Sequence, residues 1–272
     1  MVCKRESILV RKILIVICLI VFVGSGAYVA KYVLENLHAE KTVKQVAESR
    51  SRGLAEVYAQ NNDLVGWIEI KGTKINYPVM QTGEGTNEPD PEFYLHRDFN
   101  KEASESGTPF VDSFSSIAGA TRVLDESDGS VSIASDSTWN WLIYGHHMKF
   151  GTMFHDLMNY EEKSFWEDHK TFRFDRIMID DDGNVDEIDE DYEIIAAAYS
   201  QIYPDTSNAF KYYAYAGYYD EESFNEFLNG IKAESCYDTG IDASYGDQLV
   251  TLSTCAYHTE NGRFYIVGKR VQ

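Results

Sequence analysis

The chain has 272 residues, a formal net charge of −20, 44% hydrophobic residues and abundant aromatics, 19 Tyr, 14 Phe and 4 Trp. Most of it should therefore fold, around one sizeable core or two small ones. The charge argues against a nucleic-acid partner, because phosphates would be repelled, and against an acidic substrate, leaving solubility as its simplest role.

Lys4, Arg5, Arg11 and Lys12 precede an uncharged apolar run from Ile13 to Ala30, about as long as a helix needs to be to span a bilayer. The basic flank keeps the N-terminus inside and sends the remainder outward. The sequence thus predicts a cytoplasmic N-terminus at 1–12, a transmembrane signal anchor at 13–30, and a single-pass protein of the cell membrane. Ser25-Gly26-Ala27 offers a small-residue cleavage site and keeps a removable signal peptide open, although the apolar run continues past it. Residues 31–61 lack proline and repeat Val33, Leu34, Leu37, then Val43, Val46, Ala47 at helical intervals. They are expected to form a helical stalk leading to an extracellular domain at 62–272.

From Asp63 the pattern becomes β-prone. Leu64–Ile70 and Ile75–Met80 read as strands around a Lys71–Lys74 turn, with Phe93–Leu95 and Thr108–Val111 as further short strands. The Ser-, Ala-, Asp- and Gly-rich stretch 113–138 is expected to be a solvated insertion with a small hairpin around Gly129. Trp139–Tyr144 is a strand ending on Gly145-His146-His147-Met148, and Met153–Lys170 one or two short helices. Phe172–Ile179 and Tyr192–Ser200 read as a strand pair joined by the acidic run 180–191. Ser223–Glu234 is a helix with Phe224, Phe227, Leu228 and Ile231 as its buried stripe. About eight β runs against few helices fit a closed or partly closed barrel.

The acidic run does not make a calcium loop. With Gly183 at the sixth position of an EF-hand loop, Met178 takes the first and Asp189 the last. The seven histidines form no compact zinc pattern, so neither a metal nor a cofactor is expected. By compartment Cys3 is cytosolic and Cys18 lies in the membrane, leaving Cys236 and Cys255 to share a disulfide or stay free.

The apolar run Gln248–Thr254 ends on Cys255. A polar loop follows, and Arg263 opens Phe264–Val267. If these strands are neighbours, thiol and guanidinium share one site, and the cation favours the nucleophilic thiolate. The competing reading makes Cys255 a small buried hydrophobe. Two histidines are candidate partners: His146, presented by Gly145 at a strand end, and His258, three residues past the thiol. Cysteine with histidine supports acyl transfer through a covalent intermediate. Arg263, always charged, suits a carbonyl or an oxyanion.

Thr251-Leu252-Ser253-Thr254-Cys255 resembles the TLxTC signature of the sortase family, with Arg263 where its essential arginine falls. Tyr144-Gly145-His146-His147-Met148 resembles the segment carrying its histidine, which favours His146 over His147 and His258. Leu64–Ile68, Thr73–Val79, Phe93–Leu95 and Gly151–Phe154 resemble its class B. The resemblance runs from about residue 60 to the end. The stretches 113–138 and 180–191 depart from the pattern.

The resemblance implies a mostly β, α+β fold, an eight-stranded barrel, outside a Gram-positive cell, and a cysteine transpeptidase. Cys255 would attack the Thr carbonyl of a C-terminal sorting motif on a surface protein. His146, as imidazolium, would protonate the leaving amine, and Arg263 would hold substrate and oxyanion. An amine of a peptidoglycan precursor would resolve the thioacyl enzyme. By similarity Leu95 and Ser253 line the motif groove. The alternatives are a secreted cysteine endopeptidase with water as acceptor, and a membrane-anchored domain that only binds.

Overall fold

The computed structural model describes residues 2–83, 85–86 and 88–271, with the side chains of residues 2–10 and 36 outside that description. The expectations for Cys3, Lys4 and Arg5 therefore rest on side chains outside that description. The chain divides into two compact units, Met1–Lys41 and Thr42–Gln272. Helix α1 runs Val2–Arg50, and its first unit contains a segment long and apolar enough, by length and composition, to cross a membrane.

In the second unit α1 ends at Arg50. The chain breaks at Gly53, whose φ of 109° suits only glycine, and restarts as α2, Leu54–Gln60. The predicted 31–61 helix is thus two helices. Gly53 offers no side-chain cap, and Glu187 supplies one from a distance by accepting from the Leu54 amide at 3.1 Å. Glu187 also pairs with Arg50, which reaches the buried Asp175 carboxylate at 2.5 Å. Arg50→Ala takes one of two arginines from Asp175, which keeps Arg173 at 2.5 Å, and leaves Glu187 with the Leu54 amide. It is expected to destabilise the fold by about 2 kcal/mol, because one partner of a largely buried pair is removed. Thermal unfolding followed by circular dichroism should show a midpoint roughly 4–8 °C lower; an unchanged midpoint would show that the cluster is merely solvated.

The strands are β1 Leu64–Glu69, β2 Asn76–Met80, β3 Phe110–Val111, β4 Arg122–Leu124, β5 Val131–Ile133, β6 Asn140–Tyr144, β7 Thr171–Ile179, β8 Val185–Ile188, β9 Asp191–Gln201, β10 Leu249–Cys255 and β11 Gly262–Arg270. Eight of them close into a barrel in the order β1-β2-β3-β6-β10-β11-β9-β7, and β7 returns to pair with β1. Closure removes the free edges that an open sheet would expose. Strand β8 hangs outside the ring on β7, and β4 with β5 form a separate hairpin.

Along β10 and β11, side chains alternate between two cores with the period of a strand. Val250, Leu252, Phe264 and Ile266 belong to one cluster. Leu249, Tyr265 and Val267 face the other, under α4, Glu221–Glu234. Asp220 caps α4 by accepting from the Ser223 amide, and the predicted stripe Phe224, Phe227, Leu228 and Ile231 is buried. Two-sided burial is why the last strands read as nearly continuous apolar runs.

Three predicted elements differ. Phe93–His96 is a 3-10 turn, not a strand. Tyr94 is fully buried, its hydroxyl donates to Asp63 at 2.8 Å and accepts from Asn61 at 2.7 Å, and the turn follows that anchor. Within 113–138 the hairpin around Gly129 is present, but Ser115, Ile117 and Ala120 are buried. There Trp141 Nε1 donates to the Ser116 carbonyl, so this part is core and not a solvated insertion. Finally, β7 and β9 pair over only three residues; β7 pairs mainly with β1 and β8, and β9 with β11.

Candidate active site

Parallel pairing of β6 and β10 sets Tyr144 opposite Ser253. The ladder continues past β6 through Gly145 N donating to the Ser253 carbonyl at 3.0 Å, while Thr254 Oγ1 donates to the Gly145 carbonyl at 2.7 Å. Antiparallel pairing of β10 and β11 sets Cys255 opposite Arg263. Three adjacent strands therefore end at one barrel rim, and Cys255, Arg263 and His146 all line one cleft of ≈ 500 Å³ there. Gly145 makes the turn possible: a Cβ on it would lie 2.5 Å from the Phe154 ring, a contact that no side chain survives without a shift.

His146 Nε2 lies 2.8 Å from the Leu95 carbonyl. A carbonyl only accepts, so Nε2 carries a proton and Nδ1 of the neutral ring keeps its lone pair. Burial is the largest influence on this imidazole and holds its pKa below the usual histidine value. The Leu95 carbonyl opposes that shift, and nearby His96 and Arg263 add to it. The His96 ring stacks beside it at 5.9 Å. Burial thus works against the resting imidazolium that the resemblance implies.

Arg263 Nη1 donates to the Gly262 carbonyl at 3.0 Å and the Asn261 carbonyl at 3.3 Å. No carboxylate pairs with it among the described residues, so the rest of the guanidinium fork has its charge available to a ligand. The thiols of Cys236 and Cys255 are both free, so no disulfide joins them. His258 packs edge-on against Tyr199 at 4.6 Å and does not line the cleft. His147 faces elsewhere, with Nδ1 3.0 Å from the Cys255 carbonyl.

Leu95 and Ser253 both border the cleft. Ser253 is buried, and its hydroxyl is engaged with that of Tyr212 at 2.6 Å, which leaves Ser253 as floor and not as an outstretched donor. Sequence reasoning missed the Asp112–Tyr144 pair on the cleft wall, where the tyrosine hydroxyl donates to the carboxylate at 2.9 Å. Burial raises the Asp112 carboxyl, against the hydrogen bonds from the Phe114 amide and Tyr144. Tyr144 lay at the predicted strand end; Asp112 carried no signal, being one of many acidic residues.

A thiol, a half-buried imidazole with a free lone pair and an unpaired guanidinium in one cleft can carry out acyl transfer. No family model matches the chain. It is 29% identical to a sortase B of Listeria monocytogenes over 284 residues, covering 98% of this chain and 99% of that protein. It is 28% identical to a sortase B of Staphylococcus aureus over 215 residues, covering 78% and 72% respectively. The crystal structure of a Staphylococcus aureus sortase B is similar at a TM-score of 0.62 and 26% identity, covering 88% of this chain and 99% of that one.

Proposed function

Because this chain belongs to the sortase family, class B, and is a cysteine transpeptidase, we propose that Cys255, His146 and Arg263 perform its reaction. The convergence of these three side chains on one cleft at the ends of β6, β10 and β11 carries this reading.

Cys255 Sγ attacks the threonine carbonyl carbon of a sorting motif, and the thiol proton passes to His146 Nδ1. The Leu95 carbonyl holds Nε2–H throughout, so the proton exchanged in catalysis moves at Nδ1 alone. In this reading the imidazolium forms as the thiol attacks, in keeping with burial that disfavours the charged ring beforehand. Arg263 stabilises the oxyanion of the tetrahedral intermediate. Collapse breaks the C–N bond, His146 returns its proton to the leaving amine, and a thioester remains on Cys255. A peptidoglycan-precursor amine then attacks the thioester, His146 takes its proton, and the C–S bond breaks to release the joined product while His146 hands that proton to the departing Cys255 thiolate. Leu95 and Ser253 border the bound motif. The apolar segment of α1 anchors the chain in the cell membrane, with residues 1–12 inside and 62–272 outside.

The direct test incubates the full-length chain in detergent with a threonine-containing peptide library, with and without hydroxylamine, and reads products by mass spectrometry. Cleavage after threonine and an amine adduct are expected. Cleavage with no adduct would support water as acceptor, and binding without cleavage a non-catalytic domain.

A pH profile tests His146 separately. With its pKa lowered by burial, the ring stays neutral as pH falls through the ordinary histidine value of about 6.5. It becomes charged, and unable to accept the thiol proton, only below that. The acidic limb of kcat/KM should therefore have its midpoint under pH 6.5. A midpoint at or above it would contradict the half-buried, carbonyl-bound imidazole.

A further inference from the structure

In the parallel ladder of β6 and β10, the Gly145 amide donates to the Ser253 carbonyl. Two residues further along each chain, the Cys255 carbonyl would take the amide of residue 147. The chain has left the sheet there: His147 pairs instead with Met153 in an isolated bridge, and the Phe154 amide closes onto the His146 carbonyl at 2.9 Å. A side chain makes the missing rung, His147 Nδ1 at 3.0 Å from the Cys255 carbonyl. Since the carbonyl can only accept, Nδ1 carries the proton. The His147 ring is steadied on two sides, by His155 at 4.7 Å and Tyr257 at 5.3 Å between ring centres.

We propose that His147 is a positioning residue, which holds the nucleophile's own carbonyl and thereby fixes the Cys255 thiol relative to His146 one peptide link away. The two histidines divide the work. Successive side chains of an extended segment point to opposite sides; His146 enters the cleft, and His147 grips the end of the strand that bears the thiol. The bond spans the two chain segments whose spacing the reaction depends on, and misplacement of reacting groups by about 1 Å costs on the order of a hundredfold in rate. This inference rests on the reading of Cys255 as nucleophile.

Two variants separate the hydrogen bond from the ring packing. His147→Phe keeps a ring between His155 and Tyr257 and removes the donor. His147→Asn removes the ring and keeps an N–H donor near the position of Nδ1. With the full-length chain and a cleavable sorting peptide, His147→Phe is expected to lower kcat about 10- to 100-fold, with KM changed less than about twofold. Its iodoacetamide alkylation at Cys255, followed on the Cys255 peptide by mass spectrometry, should change in rate, and His147→Asn should recover most of kcat. Full kcat in His147→Phe overturns the proposal, as does a loss confined to KM, or loss in His147→Asn with retention in His147→Phe. If circular dichroism shows that His147→Phe does not fold, His147→Asn decides alone: retained kcat supports the clamp and lost kcat overturns it. Turnover in Cys255→Ala would instead sink the nucleophile reading itself, whereas an inactive Cys255→Ala beside a fully active His147→Phe sinks only the clamp.

Discussion

Cys255→Ala is expected to reduce both peptide cleavage and amine transfer to background, a loss of at least about 10⁴-fold, as when a covalent nucleophile is removed from its unit. The size follows from the division of labour at the rim. His146 and Arg263 can still bind and polarise a carbonyl, but neither can form the acyl bond that splits the reaction into two easier steps. Cys255→Ser should fail almost as completely, because a hydroxyl is far harder to ionise than a thiol. The fold should barely notice either change: Cys255 is only partly buried at the end of β10, and a small side chain there contributes little packing. Peptide binding by calorimetry should persist while turnover, read by mass spectrometry, vanishes. Turnover of the alanine variant at even one-hundredth of the parent rate would remove Cys255 from the chemistry.

The strands that carry this site were legible because physics marked them twice. β10 and β11 are buried on both faces, so their apolar runs are long, and each ends at a chemically distinctive residue, Cys255 or Arg263. Gly145 marked the third strand end, since the Phe154 ring leaves no space for a Cβ. The partner that orients His146 was not legible. It is the backbone carbonyl of Leu95, which any residue would supply, placed by Tyr94 and its long-range bonds to Asp63 and Asn61. The same three-residue apolar patch read as a strand because a short run carries no period. Charge likewise concealed the role of the stretch 180–191. Its acidic density reads as a solvated tip, yet Glu187 on β8 caps α2 and pairs with Arg50, contacts fixed by residues more than a hundred positions away. His147 was set aside for following a better candidate, and only the broken ladder at Cys255 reveals what it touches.

Arg263→Lys is expected to lower kcat/KM on the order of 10²- to 10³-fold, although the charge is kept. The reason is geometric. In the native site Nη1 is spent on the carbonyls of Gly262 and Asn261, which fix the guanidinium plane and leave other donors of the fork for the ligand. Asn261 sits at φ 53°, a left-handed turn that asparagine tolerates, and so carries its carbonyl close to the side chain two residues on. An ammonium has three donors about one nitrogen and no plane. If it turns to those carbonyls it abandons the oxyanion, and if it reaches the oxyanion it loses the anchor. The loss should fall mainly on kcat, since the oxyanion exists only beyond the ground state. Steady-state kinetics on a single sorting peptide resolves the matter: if the lysine variant keeps more than about a third of the parent kcat, charge alone suffices and the anchored fork plays no part in the transition state.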